Sequence, residues 1–290
     1  MSGLYKKKLK FLLMASLIFN IVLAGYGIRK IMLKYERHGW HHFTATPNPF
    51  PDKWHGFELI AFKFNGVDAK IVFPHQPNEE KNWIWRTQFW DLEPQVDTAL
   101  LNRGFHLVYI DVIDLYGNKI AVDRFNAFYG FLIKNFGLNS KTVLEGISRG
   151  GLDAYNWASE NTDKVFCIYG DAPVCDIKSW PGGLGKGKGS KRDWEKCLKA
   201  YGLTALTVND FEGIPIYNCT KLAEAKIPVL HVCGDLDTTV PIDENTYKLE
   251  KSFKEAGGVI QIIIKKGIGH HPHGLADPKP IVDFILANVE

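Results

Sequence analysis

The stretch that most constrains this chain is residues 141–155, KTVLEGISRGGLDAY. Thr142-Val143-Leu144 is a short apolar, β-branched run of the kind buried inside a parallel sheet. It enters the pentapeptide Gly146-Ile147-Ser148-Arg149-Gly150, and residues 151–158 beyond it read as a helix. Small residues two before and two after a serine let a strand turn sharply into a helix, because backbone passes close to backbone there. Such a turn sets the serine over the helix amino terminus, where free N–H groups and the helix dipole favour developing negative charge. The stretch therefore asks for a parallel strand, a strained turn and a docked helix, with Ser148 as a candidate nucleophile at the turn.

The rest of the chain offers a sheet of that kind. Residues 57–64 read as a strand, Asn65-Gly66 as a tight hairpin turn and 69–74 as the return strand. An aromatic-rich segment with an arginine, Asn82-Trp83-Ile84-Trp85-Arg86, follows. A helix over 94–103 stopped by Gly104, a strand over 106–111 and a helix over about 121–135 lead to the central stretch. Further strands are expected at 165–169, 228–233 and 259–264, with helices at 244–256 and 281–288. Strands alternating with helices after an N-terminal hairpin predict an α/β fold: a mostly parallel twisted sheet with helices on both faces. Residues 171–219 break the alternation and are read as an inserted, irregular cap region. Within it Gly182-x4-Gly187-Lys188 superficially resembles a phosphate loop. It is followed by Gly189 rather than Ser or Thr, and no apolar strand feeds it, so nucleotide binding is not expected. Two readings stay open there, a flexible cap with lysines facing an anionic substrate and a solvated loop.

At 290 residues, with no linker-like stretch, one large α/β domain is expected. A net charge of +3 and the lack of an aromatic-basic stripe speak against a nucleic-acid partner. The five cysteines show no C-x-x-C spacing. Cys167 and Cys233 fall in expected strands as packed thiols, whereas Cys175, Cys197 and Cys219 leave a disulfide open if the domain is exported. Lys6-Lys7-Lys8 and Lys10 precede an uncharged run over 11–28 that Arg29-Lys30 closes. That is the form of an export signal or signal-anchor helix, which places the domain outside the cytoplasmic membrane. The membrane is then a partner if the segment stays uncleaved. The expected organisation is 1–34 signal peptide or anchor, 35–56 a loop-like neck, and 57–290 the catalytic domain with its cap at about 171–219. His38, His41 and His42 in the neck lack a Cys or acidic partner at ligand spacing, so no metal is expected.

Two later loops supply partners for the serine. Gly234-Asp235-Leu236-Asp237-Thr238-Thr239-Val240-Pro241 follows one expected strand, and Gly267-Ile268-Gly269-His270-His271-Pro272-His273-Gly274 follows another. Open α/β sheets build their sites at that edge. A serine hydroxyl needs an imidazole to take its proton, and the imidazole needs a carboxylate to fix its tautomer.

The order Ser, Asp, His and the loops GISRGG, GDLDTTVP and GIGHHPHG resemble the bacterial α/β-hydrolase superfamily, from about Trp54 to the C-terminus. The resemblance is closest to exported esterases and prolyl-oligopeptidase-like hydrolases. It implies Ser148 as nucleophile, Asp237 as the acid, with Asp235 bonding loop backbone, and His270 as the base, with His271 and His273 as alternatives. It also implies an oxyanion hole made by the N–H of Arg149 and one N–H after Phe73-Pro74. Pro74 cannot donate, which leaves His75 or a residue nearer Trp83. In carbohydrate esterases that this elbow resembles, the arginine after the serine points into the site. Arg149 is thus either an oxyanion or substrate ligand or a helix-packing arginine. Trp85 and Arg86 are either substrate contacts or packing for their loop.

The resulting expectation is a serine hydrolase that forms an acyl-enzyme on Ser148 and needs no cofactor. Aromatic content of 13% with 8 Trp, plus an arginine, suggests a small-molecule or carbohydrate ester, because aromatic faces stack on sugar rings and guanidinium pairs with carboxylate. An exported peptidase of the prolyl-oligopeptidase-like type is the alternative, suggested by the extra glycine in GISRGG. Against it stand a chain too short for the usual propeller and a cap with no evident acidic pair. An inactive binding module on the same fold is a third reading, opposed by the intact Ser, Asp and His set.

Overall fold

Residues 52–289 are described by a computed structural model. Strand β1 (Asp52–Trp54) pairs antiparallel with β2 (Phe57–Phe64), which turns at Asn65-Gly66 into β3 (Val67–Phe73). Both turn residues have positive φ, 49° and 84°, the hand that two-residue hairpins require. Beyond β3 lie β5 (His106–Ile110), β4 (Trp83–Arg86), β6 (Thr142–Ile147), β7 (Val165–Asp171), β8 (Val229–Gly234) and β9 (Ile260–Lys265), in that spatial order and all parallel. β3 runs antiparallel to β5. Its carboxyl end therefore lies at the edge where the parallel strands begin.

Helices cover both faces, and two apolar cores result. On one face α2 (Lys119–Phe136), α3 (Gly150–Glu160), α5 (Pro215–Glu224) and α6 (Thr246–Glu255) pack over Phe62, Trp83, Trp85 and Leu144. On the other, α1 (Gln95–Leu101) and α7 (Lys279–Leu286) cover Ile84, Leu107, Val143 and Leu230. Alternation along β4 and β6 decides which residue meets which face. α2 has clear ends: the Asn118 side chain accepts the Ala121 N–H, and Gly137 closes the helix in the left-handed region. Its Phe125, Phe128 and Leu132 recur at helical spacing and are buried.

Four details differ from the sequence-based expectation. Residues 83–86 form a central strand, fully buried on both faces, where the sequence suggested only an aromatic segment. Part of the expected neck, Asp52–Trp54, adds an edge strand. The cap contains α4 (Lys191–Tyr201) and the start of α5, α4 capped by Ser190 and ended by Gly202. Its glycine-rich loop, exposed over residues 184–186, is tied by hydrogen bonds at three points. Glu244 accepts from Ser179 Oγ (2.7 Å) and from the Lys186 N–H, and Lys188 N donates to Thr238 O (3.1 Å). A Cβ at Gly185 would press on the Glu244 carboxyl group, which would have to turn aside to make room.

All five cysteines are free and buried, so no disulfide joins Cys175, Cys197 and Cys219. Among the described residues no helix is long and apolar enough to cross a membrane. The expected signal or anchor at 1–34, and His38, His41 and His42, lie outside the described residues.

Candidate active site

Ser148 stands at the end of β6 with φ of 49°, a left-handed conformation that a non-glycine residue adopts only when its surroundings enforce it. Here they do. Ser148 N donates to Asp171 O on the neighbouring strand (2.8 Å), and Ser148 O accepts from Val174 N (2.8 Å) and Gly151 N (3.0 Å). The extra glycine of the elbow has a steric reason: a Cβ at Gly151 would meet Pro173 Cβ at 2.7 Å and Val174 O at 2.8 Å. α3 can thus lie against the segment after β7 and keep its amino terminus under the serine.

A continuous relay leads away from the hydroxyl. Ser148 Oγ is 2.9 Å from His270 Nε2, and His270 Nδ1 is 2.7 Å from Asp237 Oδ2. The carboxylate accepts a hydrogen bond from Nδ1–H, which leaves Nε2 as acceptor for the serine proton. Asp237 Oδ1 in turn accepts the backbone N–H groups of Thr239 and Val240, both at 2.8 Å. Burial pushes this carboxyl up. The His270 hydrogen bond and charge and the two backbone donors outweigh burial and hold it below its ordinary value. Asp235 is turned elsewhere, accepting from Gly267 N at 2.7 Å.

The other two histidines of the loop differ in surroundings. His273 is buried, its Nδ1 2.7 Å from Asp171 Oδ1, while Asp171 Oδ2 accepts from Gly274 N (2.6 Å) and Tyr169 OH (2.6 Å). Asp171, which no sequence pattern singled out, therefore pins the histidine loop to the end of β7. His271 is exposed and makes no hydrogen bond to Ser148 or Asp237. Its imidazole is held below its ordinary basicity by burial and then by the neighbouring His273 and His270.

Trp85 and Arg86, open between substrate contact and packing, belong to the interior. Arg86 is fully buried on the α1 face, with Asp97 at 2.5 and 2.9 Å and Glu145 at 3.3 Å. It also donates to the carbonyls of Phe89 (3.1 Å) and Leu92 (3.0 Å), so it shapes the loop after β4 rather than touching a ligand. Trp85 is fully buried and stacks on Phe125 with centroids 4.4 Å apart. His75 follows β3, at the edge opposite Ser148, and stacks on Phe57. It cannot reach the serine. The loop beside the elbow is the one after β4: Thr87 Oγ1 bonds the carbonyls of Glu145 and Gly150, both at 2.9 Å, which sets Gln88 and Phe89 next to Arg149. The Arg149 guanidinium lies over the rings of Phe89 and Tyr116, 4.0 Å from both Asp114 and Asp193, and its Nε has no partner among the described residues.

No protein-family model matches the sequence, and no curated protein matches it. Solved structures do match in fold. A Mycobacterium tuberculosis puromycin-hydrolyzing peptidase superposes with a TM-score of 0.61 at 14% identity, covering 83% of this chain and 41% of its own. The Pyrococcus horikoshii acylaminoacyl peptidase gives 0.60 at 16%, covering 80% of this chain and 42% of its own. Porphyromonas gingivalis dipeptidyl peptidase 4 gives 0.61 at 14%, covering 82% and 36%. The chain thus spans about two fifths of the length of these structures and has the α/β-hydrolase fold.

Proposed function

We propose that the protein is a serine hydrolase that works through an acyl-enzyme and acts on peptide or aminoacyl amide bonds. The observation that carries the hydrolase reading is the Ser148–His270–Asp237 relay on a strained elbow. In this reading Ser148 Oγ attacks the carbonyl carbon as its proton passes to His270 Nε2. The Asp237 carboxylate, kept ionised, stabilises the imidazolium. The N–H of Arg149 at the head of α3 and an N–H of the Gln88–Phe89 loop receive the oxyanion. Collapse expels the amine, which takes the proton from His270. Water then enters along the same path, with His270 as its base, and releases the acid.

The choice of amide over carbohydrate ester rests on two supports. Of the residues read as possible substrate contacts, Trp85 and Arg86 are fully buried in the cores, and Arg149 alone stays beside the elbow, over the rings of Phe89 and Tyr116. The neighbours in fold named above are peptidases, and sharing their fold favours that acyl class without fixing it. Labelling by a fluorophosphonate probe, comparing the full chain with Ser148→Ala, tests the hydrolase reading: the parent alone should label. Aminoacyl amides and peptides set against acetyl and uronoyl sugar esters then test the substrate class. Higher kcat/KM on the sugar esters would reverse our choice. A folded parent that fails to label would return the chain to a binding module.

A further inference from the structure

We propose that His270, His271 and His273 form an inhibitory site for a first-row divalent cation such as zinc, in which the metal takes the nitrogen that Ser148 needs. The three residues each offer a ring nitrogen, and these atoms lie within 4.8 Å of one another. The rings meet edge to face, with centroids 4.8–5.0 Å apart. A tetrahedral zinc with bonds of about 2.0–2.1 Å spaces its nitrogens at about 3.3 Å, so a modest inward turn of the rings closes the site.

Two of the three ligands are already oriented as metal-binding histidines are. Asp237 bonds Nδ1 of His270, and Asp171 bonds Nδ1 of His273, each at 2.7 Å. A carboxylate on one ring nitrogen fixes the tautomer with the lone pair on the other, which is the outer-shell arrangement that raises a ligand's basicity. His273 Nε2 is thereby left for the metal, and His270 Nε2 is the atom for which the metal competes with Ser148 Oγ at 2.9 Å. His271, exposed and edge to face with both other rings, completes the set. Three neutral imidazoles suit zinc, copper or nickel rather than calcium or magnesium. The cation accepts the lone pair of His270 Nε2, so Ser148 keeps its proton and loses its base. No bond is broken, and chelation restores the enzyme.

The proposal rests on the hydrolase reading only for its effect on turnover, because binding can be measured alone. Zinc affinity is read by competition with a chromophoric zinc indicator on the full chain carrying His38, His41 and His42→Ala, which removes a rival cluster. On that background Ser148→Ala should bind zinc at least as tightly as its parent. His271→Ala should lose at least about tenfold in affinity, the scale set by loss of even an outer-shell partner. Its metal-free hydrolysis should be unchanged. Equal zinc affinity with and without His271, or zinc bound at that residue with no effect on hydrolysis, would overturn the proposal. Absent hydrolysis in metal-free buffer with His271-dependent zinc binding would count against the proposed function and leave the site standing.

Discussion

Replacing Arg86 by methionine should be among the most damaging single changes in the chain, although the residue never meets substrate. The guanidinium is fully buried and donates to Asp97 Oδ2 twice, to Glu145 Oε1 and to the carbonyls of Phe89 and Leu92. Methionine fills much of the volume but donates nothing, so two carboxyls and two carbonyls lose their partner inside an apolar layer. Burial already pushes Glu145 up, helped by the neighbouring Asp97 and Asp171, and Arg86 alone opposes it. Glu145 can escape by holding a proton, and Asp97 is left as the costly group. Breaking a buried pair from one side costs about 3–5 kcal/mol, against a total stability of about 5–15 kcal/mol for a domain. At 2–4 °C per kcal/mol for a chain of this size, the melting temperature should fall by roughly 6–20 °C. Removing all three charges together, as Arg86→Met with Asp97→Leu and Glu145→Met, should recover most of that loss, since no ion is left unpaired. Hydrolysis should not recover with it, because the carbonyls of Phe89 and Leu92 remain untethered beside the elbow. Urea unfolding and probe-labelling rates on the three proteins separate the two effects. A single variant that loses less than about 1 kcal/mol would refute the reasoning, since an exposed pair would behave that way.

Other outcomes follow from the same geometry. His270→Ala should lower kcat by about a thousandfold or more, while His271→Ala stays within about threefold of the parent; comparable losses in both would move the base to the other ring. Asp237→Asn should keep the fold and lower kcat by about four orders of magnitude, as loss of the tautomer-fixing carboxylate does in other serine hydrolases, with kcat read under saturating substrate. Gly185→Ala presses on the Glu244 carboxyl group and should cost about 1 kcal/mol in chemical unfolding, the scale of the Lys186 N–H bond it displaces. Asp153, under the elbow, is pushed up to about 7 by burial, with its Gln88 hydrogen bond and Arg149 pulling back. The folded state therefore holds a proton that the unfolded state releases near pH 4, and stability from this group falls as pH rises from about 4 to about 7. Asp153→Asn should remove that fall, read as the difference between parent and variant in unfolding free energy at the two ends of the window.

Much of this was readable in the sequence, and the exceptions have a common cause. The three site loops were legible because the strands before them are apolar runs and the loops carry their polar residues at fixed offsets. β4 was not legible, since a strand buried on both faces shows no alternation and Arg86 looks like a surface residue until Asp97 and Glu145 are found against it. With that strand unread, the second oxyanion donor stays open in the sequence between His75, which lies at the opposite edge, and a residue nearer Trp83. The placing of His273 away from the serine turns on Asp171, which sits 102 residues from it in sequence and has no local signature. The glycine-rich loop misled for a related reason. Its glycines answer to close approach by Glu244, Pro241 and one another, and composition alone suggests freedom instead.

The five buried thiols have a practical consequence. They are spread over β7, the segment after it, α4, α5 and β8, so they sample the sheet, the cap and one helical layer separately. Burial pushes the thiols of Cys197, Cys219 and Cys233 up to about 12, so a thiol reagent finds almost no thiolate until a region opens. Each cysteine is then a clock for its own neighbourhood. Timed alkylation under native conditions, read peptide by peptide in a mass spectrometer, would rank how often cap and sheet come apart without any label being introduced.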